Sequence, residues 1–274
     1  MVHFLNRDKI KQMNFIYYTF SPNRFHHLNK GSKCIITGHH LIHRFKKGKS
    51  LMSFEIVKGS TKFRYAFNDP AQLKQWMLNE KPLVGLCFAG RSNVGKSSLI
   101  NALFGKTTAR TSKTPGRTRS INIFSFDILH KGDDEKKVHG PFFLMDLPGY
   151  GYAKVSNEMS KNWDEILGLF FRYCPSTVRV LNIQDARHPI QSADKSFADF
   201  VKKFHQLNAA LILNKMDKLK TQKERAQLKK SQKTISKEMA QFKEIHFVSA
   251  EKQTGLKELE QSIINFFLNK DALN

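Results

Sequence analysis

The run Leu83-Val-Gly-Leu-Cys-Phe-Ala-Gly90-Arg-Ser-Asn-Val-Gly95-Lys96-Ser97-Ser-Leu-Ile-Asn-Ala-Leu-Phe104 decides the fold. Its first part, Leu83 to Ala89, is a short apolar stretch behind Pro82 and reads as a buried strand. Lys96 to Phe104 reads as a helix. Between them, Gly90 to Ser97 fits G-x-x-x-x-G-K-[ST], and a strand before it with a helix after it is the context that pattern requires. Glycines let the backbone wrap around phosphate oxygens and aim N–H groups at them. The start of the following helix adds a dipole that favours anions. In the cradle of Gly90, Arg91, Ser92, Asn93, Val94, Gly95, Lys96 and Ser97, the Lys96 ammonium reaches the β- and γ-phosphates. The Ser97 hydroxyl is a Mg²⁺ ligand.

Two further stretches take meaning from that loop. Phe142-Phe-Leu-Met-Asp146-Leu147-Pro148-Gly149 is a strand ending in D-x-x-G. An acid at that strand end suits Mg²⁺. Gly149 can offer a bare N–H to the γ-phosphate and swing when that phosphate leaves. Alone, Asp-Leu-Pro-Gly is a common turn. Between the two lies Thr114-Pro-Gly116-Arg117-Thr118-Arg119-Ser120, where a threonine hydroxyl can join the metal while a γ-phosphate is present. A turn closed by Pro and Gly reads equally well there.

Base choice is written further on. Ala209 to Leu213 is a buried strand followed by Asn214-Lys215-Met216-Asp217, the N-K-x-D pattern. The Asp217 carboxylate can accept two parallel hydrogen bonds from guanine N1–H and the 2-amino group. Adenine lacks that donor pair and would leave a buried acid unpaired, a mismatch worth about 10⁴ in discrimination. Asn214 can tie its loop to the phosphate loop, and the Lys215 stem can cover the base plane. Val248-Ser249-Ala250, after a later strand, suits a backbone N–H presented to guanine O6.

The rest of the chain alternates. Ile121 to Leu129 is β-rich, Lys131 to Gly140 is a charged loop, and Phe142 to Met145 is a short strand. Met159, Trp163, Ile166, Leu167 and Phe170 recur at helical spacing. Val178 to Ile183 and Ile245 to Val248 are strands. Phe197, Phe200, Val201 and Phe204 line one helix face, residues 222–239 form a basic helix, and Leu256, Leu259, Ile263 and Phe267 line a last one. This order predicts an α/β domain over residues 58–270, with a mixed six-stranded sheet and helices on both faces. The connection between the strands at 121–129 and 142–145 is too short for a crossover helix, so that pair is antiparallel.

The chain carries 46 Lys and Arg against 23 Asp and Glu, a formal charge of +23. Such an excess attracts nucleic acid or an anionic membrane face. No apolar run is long enough to span a bilayer. Cys34, Cys87 and Cys174 are scattered and form neither a disulfide framework nor a metal spacing, which points to a reduced, cytoplasmic protein. Residues 1–51 hold ten Lys or Arg against the single acid Asp8. They read as a disordered basic extension. Three origins stand open for it: an RNA-binding arm, a transit peptide, or a stretch preceding a true start at Met52. From Lys218 to Lys237 eight Lys or Arg stand against Glu224 alone. That run reads as a solvated helix face or as a face for ribosomal RNA.

Taken in order, these motifs resemble the Ras-like P-loop GTPases of the Era/TrmE group. Four longer strings resemble the EngB family more closely. They are Phe88-Ala-Gly-Arg-Ser-Asn-Val-Gly-Lys-Ser-Ser98, Ala109-Arg-Thr-Ser-Lys-Thr-Pro-Gly-Arg-Thr118, Asp146-Leu-Pro-Gly-Tyr-Gly-Tyr-Ala153 and Asp185-Ala-Arg-His-Pro189. The resemblance runs from about residue 64 to 268. It implies a Ras-like GTPase domain that binds GTP or GDP with Mg²⁺ on Ser97, Thr118 and Asp146. It implies that residues 116–120 form switch I and residues 146–149 open switch II, and that residues 214–217 and 248–250 hold guanine. It also implies action on the large ribosomal subunit precursor, its rRNA and proteins, as a monomer, with normal division and septation depending on it. Asn214 departs from the threonine common in the family and moves toward the general GTPase pattern.

Catalysis falls to Lys96, Thr118, Gly149 and Asn93. Ras-type enzymes place a water-orienting Gln after D-x-x-G; here that position is Tyr150. A phenol cannot replace a carboxamide, so slow intrinsic hydrolysis is expected. Help can come from the ribosome or from a K⁺ ion held by Asn93, which matches the K⁺-binding asparagine of related GTPases. An rRNA-binding module gated by nucleotide, with negligible hydrolysis, is the alternative. An ATP-using P-loop enzyme is a third reading, which Asn214-Lys-Met-Asp217 opposes.

Overall fold

The computed structural model describes residues 53–109, 120–132, 136–151 and 157–269, and three short strands before them. The chain divides into two units, Met1–Met52 and Ser53–Asn274. In the first, β1 (Tyr18–Thr19), β3 (His40–His43) and β2 (Cys34–Thr37) pair antiparallel in that order. No regular structure is expected there from the sequence. Strands this short are below the length at which a period of two can show.

The second unit opens on β4 (Ser53–Ile56), β5 (Lys62–Phe67) and α1 (Pro70–Asn79). It then runs β6 (Gly85–Gly90), α2 (Lys96–Phe104), β7 (Ile121–Lys131), β8 (Lys136–Asp146), α3 (Asn157–Tyr173), β9 (Val178–Asp185) and α4 (Ser192–Lys202). β10 (Asn208–Asn214), a 3-10 turn (Met216–Lys218), α5 (Gln222–Glu238), β11 (Glu244–Phe247) and α6 (Leu256–Asn269) complete it. The sheet order is β11-β10-β9-β6-β8-β7-β4, with β5 also paired to β7. β11, β10, β9, β6 and β8 are mutually parallel. β7 is antiparallel to β8, and β4 and β5 are antiparallel to β7, so β7 alone runs against the rest.

The expected architecture holds, but the sheet has eight strands and not six, and the domain begins before residue 58. Both differences come from β4 and β5. They lie end to end along the outer edge of β7, β4 opposite Ile128–Lys131 and β5 opposite Ile121–Ser125. Phe63, Tyr65 and Phe67 in β5 carry the period of a half-exposed strand, a signal the six-strand reading passes over. The expected loop from Lys131 to Gly140 is also partly strand: Lys136 to Gly140 belong to β8. That end of the hairpin is a solvent-exposed ribbon, so it needs no apolar run.

Side chains alternate across the central strands and fill a core on each face. In β6, Cys87 and Ala89 point to the face covered by α1, α3, α4 and α5, and Leu86 and Phe88 to that covered by α2 and α6. All six residues of β6 and all eight of β9 are buried, as a doubly covered parallel sheet requires. This fixes β6, β8, β9 and β10 rigidly, and their C-terminal ends present the loops described next.

Candidate functional site

Four strand ends meet at one edge of the sheet: Gly90, Asp146, Asp185 and Asn214. From Gly90 the chain curls through Asn93 (φ 68°) and Gly95 (φ 90°) into α2, and Gly95 caps that helix with no side chain. The helix start is therefore left to an outside acceptor. The loop is too tight for larger residues. A Cβ on Gly90 would stand 2.6 Å from the Ile183 carbonyl oxygen, and one on Gly149 would stand 2.9 Å from Ser92 Oγ. D-x-x-G is laced to the phosphate loop by Leu147 N–H to Phe88 O (3.0 Å), Tyr150 N–H to Gly90 O (3.2 Å) and Ser92 N–H to Tyr150 O (3.3 Å). Lys96 forms an ion pair with the buried Asp146.

Bare backbone, a helix start and one ammonium fit a polyphosphate. A Mg²⁺ that borrows phosphate oxygens needs few protein ligands, and half-buried Ser97 in the first turn of α2 with Asp146 at the end of β8 suits it. Gly116, Arg117, Thr118 and Arg119 lie outside the described residues. Ser120 is described: its hydroxyl bonds Asn122 Oδ1 at 3.1 Å. Asn122 stands opposite Asp146 in the β7–β8 register.

Asn214 ties the base end to this cradle. Its amide donates to Val94 O (3.1 Å) and Gly95 O (3.4 Å), and its Oδ1 accepts from Ala250 N–H (3.1 Å). Lys215, at φ 66°, sends its ammonium to Asn93 O (2.5 Å) and to Asp185 Oδ2 (3.0 Å). Those two contacts stretch its stem between the phosphate loop and the end of β9. Asp217 accepts from Ser249 Oγ at 2.5 Å and pairs with Lys218 at 3.2 Å. Burial raises its pKa, but the Ser249 bond and Lys218 outweigh burial and hold it below the usual value. An anionic acceptor at the base end fits the guanine N1–H and 2-amino pair. The 248–250 tripeptide differs from expectation. Val248 N–H bonds Leu213 O, Ser249 N–H bonds Thr254 O and Ala250 N–H bonds Asn214, so a base oxygen would have to share one of these donors.

Two side chains beside the cradle turn away from it. The Arg91 guanidinium turns away from the phosphate cradle. Its Nε pairs with Asp194, one nitrogen donates to Gln191 Oε1 (2.9 Å) and the other to the His188 carbonyl (3.1 Å). Tyr150 follows Gly149 in sequence, but its ring stacks on Phe197, with centroids 4.7 Å apart. Its hydroxyl lies between Asp194 Oδ1 (3.0 Å) and Asn182 Nδ2 (2.8 Å). Burial, chiefly, pushes its pKa well up. The phenol is thus committed to the interior and does not occupy a water-orienting position. Asp185, Asn182 and Asp194 join the neighbourhood of the site without having been singled out for it.

Residues 86–215 match the family described as 50S ribosome-binding GTPase. A probable GTP-binding protein EngB of Laribacter hongkongensis is 36% identical over 190 residues, covering 68% of this chain and 79% of that protein. The counterpart from Thermotoga petrophila is 40% identical over 157 residues, 57% of this chain and 74% of that protein. Among solved structures, Era bound to MgGDPNP and nucleotides 1506–1542 of 16S ribosomal RNA has 25% identity and a TM-score of 0.52. It covers 67% of this chain and 56% of that one. The phosphate cradle, the guanine end and the identity to these relatives agree: the chain is a GTP-binding GTPase and belongs to the EngB family.

Proposed function

We propose that this GTPase is a switch whose output is binding. Its GTP form docks on a precursor of the large ribosomal subunit, and hydrolysis releases it. The observation that carries the switch is the Asn214 clasp, which joins phosphate loop and base loop so that one ligand, guanine at one end and phosphates at the other, is read as a unit. Mg²⁺ is held by Ser97, Thr118 and Asp146, and Thr118 and Gly149 sense the γ-phosphate. The ribosomal reading draws on the matched family's description and on α5. Its buried side is Leu228 and Ile235. Exposed Lys223, Lys230 and Lys237 recur every two turns, with Lys229 and Lys233 beside them. They make a stripe about 21 Å long at 1.5 Å rise per residue. Glu224, the acid in this run, closes a capping box with Thr221. Such a stripe suits RNA phosphates, with steep salt dependence. The basic residues of 1–51 add to the same attraction. The protein acts in the cytoplasm as a monomer and is needed for normal division and septation.

The test is co-sedimentation with large-subunit precursors. More protein should pellet with a non-hydrolysable GTP analogue than with GDP, and raising salt should release it. Equal pelleting in both states would end the proposal.

Intrinsic turnover is slow, since the position after Gly149 supplies no carboxamide. Asn93 is exposed in the phosphate loop with a left-handed backbone, and its side chain would hold a K⁺ ion. A cation there stabilises developing charge. Replacing KCl by NaCl should lower turnover about tenfold or more, and Asn93→Ala should abolish the difference. Equal rates in the two salts would remove K⁺ from the mechanism.

A further inference from the structure

Behind the phosphate loop lies a continuous buried polar chain that the guanine and phosphate contacts do not use. Asp194, the third residue of α4, is fully buried. Burial pushes its carboxyl up while Arg91 pulls it back. Three groups converge on it: Arg91 Nε at 3.0 and 2.9 Å from its two oxygens, Tyr150 Oη at 3.0 Å, and Gln191 N–H at 3.0 Å. From Tyr150 the chain continues through Asn182 to Gln184 Nε2 (2.9 Å), and Gln184 Oε1 accepts from Ile190 N–H (2.9 Å). Ile190 has φ 57°, a left-handed conformation that a β-branched residue adopts only when its surroundings impose it. The Arg91 bonds to Gln191 and the His188 carbonyl hold the same turn from its other side.

Such satisfied buried networks are rigid and act as a unit. Arg91 belongs to the phosphate loop. Tyr150 adjoins Gly149, and its own backbone is bridged to Arg91. Asp194 opens α4. We propose that Tyr150 and Asp194 are a positioning pair: through them, the setting of Gly149 is transmitted to the strained turn between Asp185 and Gln191 and to the start of α4. That turn, with exposed Arg187 and His188, is then a surface that differs between the two nucleotide states. The inference rests on the switch reading above.

The experiment is amide hydrogen exchange on peptides covering residues 184–195, with GDP and with a non-hydrolysable GTP analogue. The wild type, Tyr150→Phe, Asp194→Asn and the double variant are compared. Affinities for both nucleotides are measured alongside. In the wild type, exchange in this stretch should differ between the two states. In each single variant the difference should vanish and the preference for the GTP analogue over GDP should fall about tenfold, a typical coupling, with GDP affinity within about twofold. The double variant should be no worse than either single one, because both break one link. Losses that multiply in the double variant would overturn the pair, and so would a state difference that survives in Tyr150→Phe. Identical wild-type exchange in the two states, with both nucleotides bound, would overturn the transmission alone. Failure of the GTP analogue to bind would instead sink the switch reading beneath it. Thermal melts identify a variant that fails to fold, and Asn182→Ala, which removes the other phenol partner, then stands in for it.

Discussion

Asp217→Ala is expected to weaken GDP binding about 100- to 1,000-fold and to bring adenine nucleotides to parity with guanine ones. A hydrogen bond to a charged group contributes about 1.5–3 kcal/mol. Two such bonds are lost, and water entering the exposed side recovers part of that, leaving about 3–4 kcal/mol. The acid is well prepared for the task. Ser249 and Lys218 hold it below its ordinary value of 3.8 despite its burial. The sign follows: a lowered pKa keeps the carboxylate anionic throughout the neutral range, so base preference should be flat from pH 8 down to 5 and fail only in acid below 3.8. Competition of GTP and ATP against a fluorescent GDP analogue measures both effects. Retained preference for GTP in the variant would place base recognition elsewhere.

Gly95→Ala is expected to damage both ends of the nucleotide site at once. The residue has φ 90°, where an L side chain costs about 1–2 kcal/mol. Its new Cβ would lie 2.5 Å from Asn214 Nδ2. Asn214 is buried and held by three bonds, so yielding means releasing Val94 O, Gly95 O or Ala250 N–H, at about 1 kcal/mol each. With one bond released the sum is about 2–3 kcal/mol, which predicts an affinity loss of about 30- to 150-fold for GDP and GTP alike, with a lowered melting temperature. Binding within threefold of wild type would show that the clasp does not unite the two loops.

The parts of the site legible in the sequence are those whose chemistry needs fixed residue types at contiguous positions. A phosphate cradle requires Gly95, Lys96 and Ser97 in a row, and guanine requires Asn214 and Asp217 across one turn. The Arg91–Asp194 pair was not legible, because its partners lie 103 residues apart and nothing local to either announces the other. The setting of the Tyr150 ring was not legible for the same reason: distant Asn182 and Phe197 decide where it goes. In the fold, the doubly buried strands declared themselves by unbroken apolar runs. β4 and β5, one face of which meets water, offer only alternation, and β5 reads Lys-Phe-Arg-Tyr-Ala-Phe.

That outer strand pair also determines where the sheet stops. A straight edge would present a ladder of free N–H and C=O groups to any second chain. Here the edge is cut between Ile56 and Lys62, and its pairing shifts register between Phe63 and Tyr65. Lys62 and Arg64 place charge along it. A newcomer would find neither a continuous ladder nor an uncharged rim, so the sheet ends as a finished surface and resists growing into a fibre.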